Sequence, residues 1–150
     1  MARVKHIIIL LAACSGLCAS LSPAAHAMDD RVVYLLVTSQ KYDYASPWQM
    51  GDISRSNATG CVIAGNMILT SAYAITDHSF IEVMKKGESR KYQAEVYIKD
   101  YHCGLALLRV KDGSFFKGLR PVEFGPSGKI PGRAAVVYRW DSLSSLKEYP

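Results

Sequence analysis

The sequence predicts an all-β fold, and three observations carry that prediction. Apolar runs after Arg31 are short, rich in β-branched and aromatic residues, and bounded by turn formers. From Tyr92 to Ile98, Tyr92, Ala94, Val96 and Ile98 alternate with Gln93, Glu95 and Tyr97, the period-2 mark of a half-buried strand. Beyond residue 27 no eleven-residue window holds the 3.6-residue period of an amphipathic helix. Short strands joined by local hairpins fit an antiparallel sandwich or a small barrel.

Each element follows in chain order. Val32–Thr38 (VVYLLVT) is too short for a buried helix and reads as a core strand. Lys41–Thr59 is polar, contains Pro47 and Gly51, and reads as a loop. Cys61–Ala64 and Met67–Ser71 flank Gly65-Asn66, a compact hairpin signal. Phe80–Met84 and Lys91–Lys99 flank Lys85-Lys86-Gly87-Glu88, a second hairpin. Leu105–Val110 is a further strand, and Val122–Phe124 and Ala134–Tyr138 read as short final ones. Repeats and low-complexity tracts are absent from the sequence.

Composition sets the outer bounds. The chain has 150 residues, 49% of them hydrophobic and 21% charged, which excludes a disordered tail or a fibrous rod. The formal net charge is +5, but Arg3 and Lys5 lie in an N-terminal segment that reads as an export signal. MARVKH is its positive region, Ile7–Ala13 its apolar stretch, and Ala25-His26-Ala27 its cleavage pattern, so Met28 is the expected first mature residue. A membrane-spanning reading fails, because the apolar run is well short of the ~20 residues required. A lipoprotein signal is the rival: Leu11-Ala12-Ala13-Cys14 resembles a lipobox, which would acylate Cys14 and tie the protein to a membrane. Both routes take the protein out of the cytosol, to the bacterial periplasm or beyond. Residues 28–150 carry 16 basic and 13 acidic side chains, a net +3. That is too small and too dispersed an excess for nucleic acid. Lys85, Lys86, Arg90 and Lys91 cluster at one hairpin tip, where charge commonly solvates a turn and protects strand edges.

Few residues remain for chemistry. Cys14 and Cys18 fall in the signal, leaving Cys61 and Cys103, which either pair as a disulfide in an oxidising compartment or serve as small buried apolar residues. His6 and His26 also fall there; His78, His102 and the two cysteines lack metal-ligand spacing, so neither a metal nor a cofactor is expected. Asp77-His78 and His102-Cys103 are adjacent pairs that read as a solvated turn and as strand neighbours facing apart. Gly125-Pro126-Ser127-Gly128 looks superficially like a nucleophile turn but reads as an ordinary Pro-Ser turn. Asn57-Ala58-Thr59 is a glycosylation sequon only in a eukaryotic secretory route.

A longer pattern is specific. Thr59-Gly60-Cys61-Val62-Ile63 followed by Met67–Ile75 (MILTSAYAI) resembles the S-G-F-V-I and I-L-T-N-A-H-V-V segments of the HtrA/Deg family of trypsin-like serine proteases. Asp77–Val83, Lys91–Val96, Gly104–Val110 and Pro121–Gly125 follow that family's later segments in order, and Ser46-Pro47-Trp48-Gln49 resembles an extended loop of some members. The likeness runs from about Val32 to Val137. It implies an antiparallel six-stranded β-barrel, the first of the two barrels of the trypsin-like (chymotrypsin) fold, preceded by a signal helix. The expected division is a signal peptide at 1–27, the barrel at 28–138, and a C-terminal segment of open structure at 139–150.

The resemblance also shows what has changed. The position of the family's general-base histidine is Tyr73, and a phenol is protonated at neutral pH. The aspartate that would orient that histidine is Gly104, which has no side chain. The family's serine turn, in its second barrel, has no match in residues 28–150. The expectation is therefore an exported pseudo-protease with no intact catalytic residue, binding an extended peptide or a protein partner. One alternative is an active serine endopeptidase of which this chain is the first part. Another is a surface lipoprotein with a structural or adhesive role. Oligomeric state is not legible in the sequence.

Overall fold

The computed structural model describes Met28, residues 30–125, 136–142 and 145–149. The expected signal helix, Cys14, Cys18 and the Pro126-Ser127-Gly128 turn lie outside those residues, as do Ala134 and Ala135. The described residues form eight strands in order: β1 (Val32–Tyr42), β2 (Met50–Ile63), β3 (Met67–Ser71), β4 (His78–Met84), β5 (Tyr92–Asp100), β6 (Leu105–Val110), β7 (Val137–Ser142) and β8 (Ser145–Tyr149). Two short 3₁₀ turns, Tyr73–Ile75 and Gly113–Phe116, join them, and the described residues contain no α-helix. None of their helical turns is long and apolar enough to cross a membrane.

The first six strands close into an antiparallel barrel in the order β1-β2-β3-β6-β5-β4, and β7-β8 form a separate hairpin. The alternation of the sequence decides what lies inside. Val33, Leu35 and Val37 of β1, Ile68 of β3, Ile81 and Val83 of β4, and Leu108 of β6 point inward, with Phe115 and Ile75 plugging the barrel. Burying each such side chain stabilises the fold by roughly 1.5–3 kcal/mol. β1 is apolar on both faces because both are covered: Val32 and Tyr34 turn outward and meet Met84 and Trp140 of β7. The Tyr34 and Trp140 rings meet edge to face, with centroids 6.2 Å apart. Gly60 lets β2 approach the core closely, since a Cβ there would stand 2.5 Å from Ile68 Cγ2.

Both expected hairpins form. β2 and β3 turn at Gly65 and Asn66, which have φ of 85° and 56°. β4 and β5 pair through Ile81–Ala94 and Val83–Tyr92. Four expectations are corrected. Only Asp43–Gln49 of the expected loop Lys41–Thr59 is a loop: β1 continues to Tyr42 and β2 begins at Met50, paired from Tyr42–Met50 to Val32–Cys61. Backbone bonding holds this ribbon together without an apolar face to announce it. In β5 the alternation breaks at an irregularity between Val96 and Ile98, and Ile98 is turned out, 53% exposed. Val122–Phe124 forms no strand; it is tied to β2 by one bond, Val122 N–H to the Val62 carbonyl at 2.8 Å. Cys103 is neither buried nor in a strand, but exposed in the turn between β5 and β6.

Candidate functional site: the altered triad positions

β3 ends at Ser71, and Ala72 is buried and held by its N–H to the Gly104 carbonyl at 2.9 Å. That bond brings the two sequence-predicted positions, Tyr73 and Gly104, side by side at one end of the barrel. Tyr73 opens a 3₁₀ turn and stands 67% exposed. Its hydroxyl donates to the Tyr101 carbonyl at 3.2 Å, and the two rings lie 5.8 Å apart at a tilt of 54°. A Cβ on Gly104 would lie 3.5 Å from Tyr73 Cε2. Gly104 has φ of 71°, a left-handed conformation that glycine adopts freely. The tyrosine ring therefore lies over the surface from which a side chain at 104 would project.

Sequence reasoning missed Tyr101. Hydrogen bonds with Thr76 and Lys99 hold its phenol below the usual tyrosine range, and the Lys99 ammonium sits 5.0 Å over its ring. A period-2 reading of β5 stops before the turn that carries it. The result is a tilted pair of phenols, Tyr73 bonded to the Tyr101 carbonyl and Tyr101 to the Thr76 and Lys99 side chains. The Tyr73 hydroxyl is occupied as a donor, and Gly104 offers no carboxylate to orient anything.

The other candidates do not assemble into a site. His78 Nδ1 meets the Ile75 carbonyl at 2.8 Å, while the Asp77 carbonyl receives Gln40 N–H at 3.0 Å; His78 and Asp77 thus serve the backbone separately. His102 lies in the same exposed turn as Cys103, and its backbone N–H donates to Asp100 Oδ1 at 2.7 Å. Cys61 and Cys103 are both free thiols; burial pushes the Cys61 thiol up. Among the described residues no group of three histidine, cysteine or acidic side chains could hold a metal ion. The lysine-rich tip is neutralised locally, by Lys85–Glu88 at 2.7 Å, Arg90–Asp112 at 3.1 Å and Lys91–Glu82 at 3.2 Å.

Several hollows open on the surface of the described residues, two of them with mainly apolar linings. Leu69, Ile98, Leu105 and Leu107 line an apolar hollow of about 260 Å³ beside Cys103. A groove of about 320 Å³ runs between β2 at Asn57–Thr59, the end of β3 with Ala74, and β7.

No family model matches the chain. Among curated proteins of Arabidopsis thaliana, it is 37% identical over 111 residues to the mitochondrial Do-like 11, a match covering 72% of this chain and 20% of that protein. It is 35% identical over 124 residues to the chloroplastic Do-like 6, covering 83% and 54%. With the mitochondrial protease Do-like 4 it shares 34% over 106 residues, covering 69% and 20%. The matched part thus spans between a fifth and about half of the length of these relatives. Among solved structures, the Rv3671c protease of M. tuberculosis superposes in its active form with a TM-score of 0.63 and 17% identity, over 84% of this chain and 48% of that one. Its inactive form gives 0.58. At that identity the likeness establishes the trypsin-like fold.

Proposed function

This chain is a homologue of the Do-like (HtrA/Deg) proteases with a barrel of the trypsin-like fold, and on that footing we propose that it is a non-catalytic member that binds polypeptide. The carrying observation is the Tyr73–Gly104 contact: the positions that would hold a general base and its orienting carboxylate hold an exposed phenol and a bare left-handed backbone. Acyl transfer by a serine needs a group that accepts its proton, and a hydroxyl donating to a carbonyl does not supply one. What the barrel keeps is surface. The apolar hollow lined by Leu69, Ile98, Leu105 and Leu107 suits a protein partner, and the groove beside β2 suits an extended peptide. The protein works outside the cytosol, exported by the segment 1–27 and released at Met28.

Hydrolysis of a quenched-fluorescence casein or peptide library, read beside labelling by a fluorophosphonate probe, tests the reading. The expected result is no turnover above a buffer blank and no labelled serine. Turnover abolished by serine labelling would establish an active endopeptidase instead. Mass spectrometry of the exported protein should find Met28 as its first residue; an acylated Cys14 would make it a lipoprotein.

A further inference from the structure

The ribbon of β1 and β2 ends in aromatic side chains that the fold does not cover. β1 pairs with β4 as far as Ser39 and His78, and Gln40 N–H still meets the Asp77 carbonyl at 3.0 Å. Beyond that point Lys41 and Tyr42 have β2 as their only partner strand among the described residues. At about 3.4 Å per residue they lift the loop Asp43–Gln49 roughly 7 Å off the barrel. Tyr42 and Met50 form the outermost pair of the ribbon, and both are exposed. In the loop between them Tyr44 is 92% exposed and Trp48 81%. Large apolar groups left in water together mark a contact surface.

Size, charge and backbone bonding narrow the partner. The rings of Tyr42, Tyr44 and Trp48 present on the order of 500 Å² between them. A stable protein contact takes about 800 Å² from each partner, and on a projecting tip little else of the chain can join. A bilayer sets no such threshold, and rings with a polar edge suit its headgroup level. Lys41 and Arg55 are offset by Asp43 and Asp52, so the tip has no net charge with which to select a charged partner. The loop also satisfies backbone donors internally. Asp43 Oδ1 accepts the N–H groups of Ala45 at 2.9 Å and Ser46 at 3.3 Å, and the Ser46 carbonyl accepts Gln49 N–H at 2.8 Å. Pro47 has no N–H to satisfy. A loop that enters a region poor in water needs such bonds, because an unmet donor there is costly.

We propose that the ribbon tip is a lipid-surface contact: Tyr42, Tyr44, Trp48 and Met50 enter the headgroup region of a bilayer while the barrel stands outside it. The lift of the loop is of the order of the ~5–10 Å to which interfacial elements sink. The Asp43 carboxylate keeps the tip at that level, short of the hydrocarbon core. The contact is weak and reversible, because stable anchoring takes two signals. It stands apart from the altered triad positions and from any peptide that the barrel binds.

The test takes the protein as exported, its first residue read by mass spectrometry, and adds vesicles of phosphatidylcholine. Trp48 reports directly, since the other tryptophan, Trp140, is already buried. Its emission should move to shorter wavelength, and lipid brominated near the headgroup should quench it. Tyr44→Ala keeps the reporter and should weaken partition about tenfold, as should Trp48→Ala followed by vesicle sedimentation. Both positions are exposed, so the urea midpoint should hold. Should Cys14 prove acylated, sedimentation follows the acyl chain, and the shift and quenching of Trp48 decide alone. Adding phosphatidylglycerol or salt should change partition by less than about threefold, given the balanced charges of the tip. An unchanged Trp48 spectrum over vesicles would overturn the proposal. So would partition that requires phosphatidylglycerol and disappears in salt, which assigns the contact to basic groups elsewhere. Ile98→Lys, on the separate apolar hollow, should leave partition intact; a loss equal to that of Trp48→Ala moves the contact off the ribbon. A dimer that Trp48→Ala dissolves, with no uptake of lipid, gives the tip to a second copy and ends the lipid assignment.

Discussion

The closed part of the barrel and the β1–β2 ribbon that projects from it use the same strands in different ways. Within the barrel, β1 contributes Val33, Leu35 and Val37 to a core that excludes water. Beyond Thr38 the same strand runs on to Tyr42, still paired with β2, with little covering either face. One region is held by side-chain burial, the other by backbone pairing with two side-chain hydrogen bonds beside it, Ser39–Ser54 at 2.9 Å and Gln40 Nε2 to the Gly51 carbonyl at 3.0 Å. A strand's length therefore says little about where its stability comes from. Among the described residues the unburied stretch of β2 is also the one that pairs with no second strand.

The largest contrast is a matched pair of truncations. Leu108 is fully buried, so Leu108→Ala should cost about 2–5 kcal/mol, read from urea unfolding. Ile53 is 65% exposed on the ribbon, and Ile53→Ala should stay within about 0.5 kcal/mol. Similar losses at the two sites would break the comparison. Gly60→Ala sharpens it where the ribbon enters the barrel. The added methyl meets the branched Ile68 side chain at 2.5 Å, so overpacking should cost about 1–3 kcal/mol. The same substitution at Gly87, where nothing lies within 4 Å, meets no such wall. Gly87 does have φ of 75°, so its cost is conformational and near 1 kcal/mol.

Gly104→Asp with Tyr73→His probes the altered site itself. At φ of 71° an aspartate carries a conformational cost of about 1 kcal/mol and projects into the space the tyrosine ring now covers. The double variant should remain inactive against a peptide library. Thr70→Val follows in size. Its hydroxyl donates to the Thr59 carbonyl at 3.0 Å from a buried position, and losing that bond should cost about 1 kcal/mol.

The core was legible in the sequence because burial leaves a period. Tyr92 and Ala94, the two hairpins and the double-sided burial of β1 all follow from apolar spacing. The ribbon was not legible, because Ser54, Ser56 and Asn57 pair through backbone groups that every residue possesses. Ile98 misled for the opposite reason: its type fits the inward pattern, but the irregularity after Val96 turns it outward. At the site, Tyr73 and Gly104 were found by motif position. Tyr101 was not, because only the folded turn brings it under Tyr73.

The two cysteines offer the mildest test of the difference between a covered and an uncovered surface. Cys61 lies within β2 where the barrel closes, half-buried, and burial raises its thiol above the ordinary range. A raised value means less thiolate at neutral pH, and thiolate is the reacting species. Cys103 is exposed in the β5–β6 turn, with its Sγ 3.7 Å from the Asp100 carbonyl. Labelling with a thiol-reactive disulfide should therefore show two phases, the faster belonging to Cys103 and lost in Cys103→Ser. As pH rises, the slower phase should accelerate over a higher pH range than an exposed thiol does, because Cys61 must deprotonate against its surroundings. A single phase for both thiols in the folded protein would mean that the closed barrel opens as readily as the turn, and the contrast between the two regions would fail at that point.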